Sequence, residues 1–193
     1  MTDRGDLRDD GSVITPPPVR VALDDGSELR VLVPDDAGAV AAAVGTNLDH
    51  LRPWMPWAND RSADPAFQRA RIRGLAALAA SGSEWQYGLF ADGDFLGSFG
   101  LMTRRGPGIL EIGYWLCADA TGTGRATRAA SALADIGAAA DGIDELWIVC
   151  DEANLRSAAV ALRCGFELLR SYADVAEAPG EAGTKLVFVR DVR

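Results

Sequence analysis

The run Glu111-Ile-Gly-Tyr-Trp-Leu-Cys-Ala-Asp-Ala-Thr-Gly-Thr-Gly-Arg-Ala-Thr127 joins the most strand-like part of the chain directly to a helix. Ile109 to Leu116 is rich in apolar and aromatic residues and reads as a strand. A turn bearing Gly122 and Gly124 follows, and a helical pattern opens at once. Glycine lets the main chain approach a ligand closely, and the first N–H groups of a helix have no partner within it. Those donors and the helix dipole suit a pyrophosphate. Arg125 and Arg128 bring positive charge to the same turn. From these residues two readings stand, a phosphate cradle and a plain chain reversal. Other phosphate signatures fit poorly. G-x-G-x-x-G needs glycine where Thr127 stands, and no G-x-x-x-x-G-K-[ST] occurs.

Working outward, Ala126, Ala130, Leu133, Gly137 and Ala140 fall on one helical face, and Asp141-Gly142 ends that helix. Leu146–Cys150 reads as a short buried strand, and Ser157–Cys164 as a helix closed by Gly165. Phe166–Val175 and Lys185–Val189 read as a final antiparallel pair. Upstream, Trp85, Tyr87 and Leu89 alternate as in a strand, and Asp92-Gly93-Asp94 turns the chain into Phe95–Leu101. Asp64, followed by Pro65, caps a helix that Ser81-Gly82-Ser83 stops. Pro34 opens an alanine-rich helix reaching about Val44, and Asn47–Trp57 is an aromatic loop or kinked helix. Val19–Leu23 and Leu29–Val33 form a hairpin about Asp24-Asp25-Gly26. Residues 1–18, with Pro16-Pro17-Pro18, read as a flexible tail, and residues 19–193 as one mixed α/β domain.

With 19 basic and 28 acidic residues the net charge is −9, which argues against nucleic acid as a partner. An acidic balance favours cationic substrates such as amines, although solubility alone accounts for it. Neither a signal-like start nor an apolar run of about 18 residues occurs, so no membrane association is expected. Three scattered cysteines read as reduced thiols of a cytoplasmic protein. With one histidine, His50, a histidine-rich metal site is excluded, and no metal is proposed.

The sequence resembles the GNAT superfamily of acyl-CoA N-acyltransferases. Its Q/R-x-x-G-x-G/A pattern is met by Thr121-Gly-Thr-Gly124-Arg-Ala126, apart from threonine in the first place. Within the superfamily the chain is similar to the RimJ/RimL-like branch that acetylates ribosomal-protein N-termini. Leu51-Arg-Pro-Trp-Met-Pro-Trp57, Glu111-Ile-Gly-Tyr-Trp-Leu116 and Asn154-x-x-Ser157 running to Gly165-Phe166 carry that likeness. The resemblance implies a GNAT fold: a mixed, mostly antiparallel sheet of about seven strands, flanked by helices and splayed at the acyl-CoA site. It further implies acetyl-CoA as acyl donor, an amine acceptor (a peptide N-terminus or a small amine) and a homodimer. Main-chain groups of Trp115, Leu116 and Cys117 would hold the pantetheine arm. Amides of Gly122, Thr123, Gly124, Arg125, Ala126 and Thr127 would wrap the pyrophosphate, with Asn154 and Ser157 beside the thioester.

Acyl transfer to an amine needs a neutral nucleophile, a donor for the developing oxyanion and a proton for the leaving thiolate. Glu111 is the expected base, by the resemblance as well as by its place on the strand. The competing reading is a carboxylate paired with arginine or facing solvent. Glu84 is its rival as base. Ser157 is expected to protonate the thiolate, or else to serve only in the first turn of its helix. The superfamily's usual acid, a tyrosine, is replaced by Ala161. His50, Trp54 and Trp57 either line an acceptor pocket, where rings attract ammonium groups, or cap the core. The alternative to an enzyme is a non-catalytic acyl-CoA sensor, favoured by Thr121 and Ala161.

Overall fold

The computed structural model describes residues 16–192, so most of the expected N-terminal tail (residues 1–15) lies outside the described residues. Residues 16–18, assigned to that tail, line one cavity together with Trp85, Leu101 and Leu110. The Tyr87 hydroxyl donates to the Pro18 carbonyl at 2.9 Å.

The chain runs through β1 (Arg20–Ala22), β2 (Glu28–Val31), α1 (Ala37–Thr46), α2 (Leu48–Leu51), α3 (Pro65–Ala80), β3 (Glu84–Ala91), β4 (Asp94–Met102), β5 (Ile109–Leu116), α4 (Arg125–Ala138), β6 (Glu145–Asp151), α5 (Leu155–Arg163), β7 (Glu167–Ala173) and β8 (Thr184–Asp191). Among the described residues the strands form one sheet in the order β1-β2-β3-β4-β5-β6-β8-β7. It has eight strands rather than about seven, because the N-terminal hairpin adds β1 as an edge beyond β2. Every pairing is antiparallel except β5 with β6. This is the mixed, mostly antiparallel α/β sheet that the resemblance implies.

Local chemistry sets the element ends. Pro34 starts a single 3-10 turn before α1. Asp36 below it accepts both terminal nitrogens of Arg30, at 2.8 and 2.7 Å, together with the Val33 N–H. Asp64 caps α3 by accepting the Ala66 N–H at 2.8 Å. The Asn47–Trp57 segment resolves into the four-residue α2 followed by turns. Asn154 caps α5, which therefore begins two residues before the expected start at Ser157.

The two faces of the sheet differ in chemistry. Alternation places Leu101, Leu110 and Leu146 beneath α4, whose Ala129, Ala130, Leu133, Ala134 and Gly137 are buried. A Cβ at Gly137 would meet Leu146 Cδ2 at 2.7 Å, so a larger residue there would force the leucine side chain to shift. Fully burying a Leu or Ile side chain stabilises by roughly 1.5–3 kcal/mol, and this layer is the core. The opposite face carries Glu84, Gln86, Ser98, Met102, Glu111, Gly113 and Trp115 under α1 and α3. That polar face holds the site.

Candidate active site

Strands β5 and β6 pair at Ile109–Glu145, Leu110–Leu146 and Glu111–Trp147. Beyond Glu111 no pair joins them among the described residues. A cleft of about 620 Å³ opens there, lined by Glu111–Trp115 of β5 and Ile148–Asp151 of β6. Parallel strands that part in this way leave main-chain N–H and C=O groups unpaired on the facing edge of β5. That edge can receive an extended chain as an added strand.

The glycine turn follows at the splayed end of β5. Gly122 and Gly124 have φ of 79° and 82°, a region costly for any residue with a Cβ. Gly124 is the N-cap of α4, and the first helical bond to it comes from Arg128 N–H at 3.0 Å. The six consecutive amides of Gly122 to Thr127 have no acceptor among the described residues. Among the described residues other than its two chain neighbours, none comes within 4 Å of where a Cβ at Gly122 would stand. The two arginines there are partly engaged. Arg128 donates to the Thr123 carbonyl at 2.9 Å and pairs with Asp24 at 3.1 Å, while Arg125 stands 4.0 Å from Asp25. The row of open amides fits a diphosphate without a basic surface. Thr121, in place of the pattern's longer residue, donates only to the Ala118 carbonyl, at 2.7 Å.

Among residues expected to bind the cofactor, Trp115, Asn154 and Ser157 line the cleft, while Leu116, Cys117 and the turn lie past its end. Cys117 continues the ladder with β4, its N–H donating to the Leu96 carbonyl at 2.8 Å, and its own carbonyl accepts the Ala120 N–H. Burial pushes the Cys117 thiol up to about 11, which suits packing rather than nucleophilic chemistry.

Glu111 has the arginine-paired arrangement that stood beside its reading as a base. It is 2% exposed. Both oxygens are taken by guanidinium groups: Arg104 donates at 2.5 and 3.1 Å, and Arg105 Nε donates to Oε2. Burial opposes its ionisation, but the hydrogen bonds and charges of both arginines outweigh that and hold the carboxyl below its usual range. The loop before β5 folds back over the strand, which brings residues six and seven positions away onto one side chain. Glu84 also lines the cleft, with one oxygen accepting Gln86 Nε2 at 2.8 Å and the other without a donor among the described residues.

Asn154 Oδ1 accepts the Ser157 N–H at 3.1 Å, which places Ser157 in the first turn of α5. The Ser157 hydroxyl lies 3.1 Å from the Tyr114 hydroxyl, itself 3.3 Å from the Ser157 carbonyl. Burial pushes the Tyr114 phenol up, keeping it protonated at any ordinary pH. Tyr114 was missed because alternation put it on the face opposite Glu111. Where β5 leaves β6, that face borders α5 as well as the core.

Trp54, Trp57 and Glu84 reach the cleft, and His50 does not. Leu51 is the buried residue of α2, and its neighbour points about 100° away around the helix. Trp57 packs on Trp115 with centroids 5.9 Å apart, so these rings serve the cleft wall and the core together. Gln68, Arg71, Arg104 and Arg105 also line the cleft and were not anticipated. Among the described residues no group of His, Cys, Asp and Glu could hold a metal, and no helix is long and apolar enough to cross a membrane.

Residues 28–167 match the family described as the acetyltransferase (GNAT) domain. A comparison with curated proteins finds no match. Among solved structures, RimL, a ribosomal L7/L12 alpha-N-protein acetyltransferase in complex with coenzyme A, superposes with a TM-score of 0.81 at 22% identity over 89% of this chain and 97% of its own. Mycobacterium smegmatis RimJ in complex with CoA-disulfide gives 0.80 at 24% over 89% and 85%. The microcin C7 self-immunity acetyltransferase MccE, in complex with acetyl-CoA and AMP, gives 0.81 at 19% over 91% and 98%. At such identities the likeness is one of fold.

Proposed function

The chain belongs to the GNAT acetyltransferase family, and from that premise we propose that it moves an acetyl group from acetyl-CoA to a primary amine, by direct attack and without an acyl-enzyme. The observation that carries this reading is the row of six amides, Gly122 to Thr127, without acceptors at the mouth of the splayed strands. Acetyl-CoA would supply the activated acyl group. Its diphosphate matches the amide row, and its pantetheine arm matches the edge of β5 through Trp115 and Leu116. Two of the solved relatives of the same fold are complexes with coenzyme A or acetyl-CoA, which supports the same donor.

The acceptor enters from the α1 and α3 side, between Trp54, Trp57 and Glu84. An α-amine has a pKa near 7.7–8.0, so it is partly neutral at physiological pH and needs only modest help. Glu84 takes its proton, having an oxygen free toward the cleft. Glu111 has the opposite job. Its charge is spent on Arg104 and Arg105, so it fixes the loop that walls the acceptor side. Ser157 holds a proton at Oγ for the departing sulfur, and the Tyr114 hydroxyl orients it. Three buried free thiols accord with a reducing cytoplasm. The test is release of free coenzyme A with a panel of peptides and small amines. Tight acetyl-CoA binding without release against any acceptor would instead favour the sensor.

A further inference from the structure

The protein is acidic overall, yet the acceptor side of its cleft is not. Arg61, Arg71, Arg104, Arg105 and Lys185 line the cleft with Glu84, Glu111, Asp151 and Glu181, the last two paired with Lys185. Arg104 and Arg105 are satisfied by Glu111. Arg61 and Arg71 are not: no carboxylate lies within 4 Å of either among the described residues. Arg61 stacks on Phe67, 4.7 Å from its centroid. Arg71 is held more firmly. Its Nε donates to Gln68 Oε1 at 3.0 Å, and Gln68 is 2% exposed, with its Nε2 donating to the Ser62 carbonyl at 2.6 Å. Ser62 is buried in turn and tied to Asn59 by four hydrogen bonds. A chain running from exposed Asn59 through buried Ser62 and Gln68 thus orients one guanidinium, while its terminal nitrogens keep no acceptor among the described residues. Burial lowers the Arg71 pKa, and Glu84 acts in the other direction from beyond ion-pair distance.

A guanidinium fixed at Nε and open at both terminal nitrogens presents the fork that grips a carboxylate or phosphate through two parallel hydrogen bonds. Glu84, near enough to influence Arg71, offers negative charge to an amine beside it. We infer that the acceptor is an amine carrying an anionic oxygen group, carboxylate or phosphate, a few bonds from its nitrogen, with that group seated on Arg71. This rests on the acetyltransferase reading above and narrows it to a substrate class. The positive charge around Arg61 extends the same preference outward.

The experiment measures kcat/KM by coenzyme A release for matched acceptors: a peptide with Glu or phosphoserine at its second residue against the same peptide with Gln or Ser, and a free amino acid against its amide. The acidic member of at least one pair should exceed its neutral partner by about tenfold or more, a difference one charge-assisted pair readily supplies. The pair that shows it tells peptide carboxylate, phosphate and free amino acid apart. Arg71→Gln should bring the ratio near one, and Arg71→Lys, which keeps the charge without the fork, should retain part of it. Ratios near one in every pair with steady release, or a ratio untouched in Arg71→Gln, would overturn the inference and leave the acetyltransferase reading standing. No release from any acceptor, neutral or acidic, would remove both.

Discussion

Replacing Glu111 and Glu84 separately by glutamine tells a structural carboxylate from a proton acceptor. Glu111 receives three hydrogen bonds from two guanidinium groups while 2% exposed. Hydrogen bonds to charged groups contribute about 1.5–3 kcal/mol each when buried. Here the Arg104 side chain is 59% exposed and Arg105 31%, so both can turn to water when the carboxylate is lost. Solvent screening reduces the sum, and about 2 kcal/mol net is the expected cost of Glu111→Gln. For a chain of this size that lowers the melting temperature by about 4–8 °C. Its effect on kcat should stay within about tenfold, because the lost group touches the loop and not the reacting amine. Glu84→Gln should do the reverse: little change in melting, and a fall in kcat of about 10² at pH 8, deepening at lower pH as less amine is neutral. Thermal melts and a thiol-release assay on both variants decide it. A hundredfold loss of turnover in Glu111→Gln with unaltered melting, beside an active Glu84→Gln, would refute this division and return the base to Glu111.

Three further outcomes follow from the same geometry. Ser157→Ala should lower kcat about tenfold, since solvent can also protonate a departing thiolate whose pKa is near that of free thiols. Tyr114→Phe should give part of that loss, and none on top of Ser157→Ala; additive losses would show that Tyr114 does not act through Ser157. Stability should also fall on the acid side. Glu111 and Asp36 both have carboxyls held below their usual values, burial being outweighed by Arg104 and Arg105 in one case and by Arg30 in the other. A depressed folded pKa contributes stability above the unfolded value and loses it as pH drops through the folded one. Melting temperature should therefore decline below about pH 4.5, and less steeply in Glu111→Gln.

Much of the fold was legible because its elements announce themselves locally. The alternation of Trp85, Tyr87 and Leu89, the Asp64-Pro65 start of α3 and the small-residue face of α4 each depend on neighbours in sequence. The turn at Gly122 and Gly124 was legible for the same reason, since positive φ at a helix start is a local demand. The acceptor side was not. The grip on Glu111 depends on how Arg104 and Arg105 fold back. The run Asn59, Ser62, Gln68, Arg71 becomes a connected chain only when a 3-10 turn and a helix meet. Tyr114 reaches Ser157 across 43 positions, a pairing that strand parity alone cannot supply.

The most direct test of the account is an amide-detected NMR titration of the full chain with coenzyme A. The amide resonances of Gly122 to Thr127 should move together, in step with the calorimetric binding curve. Pantetheine, which lacks the diphosphate, should leave them in place while still perturbing Trp115 and Leu116. Saturable binding that leaves those six amides unmoved, or no binding at millimolar coenzyme A, would contradict it.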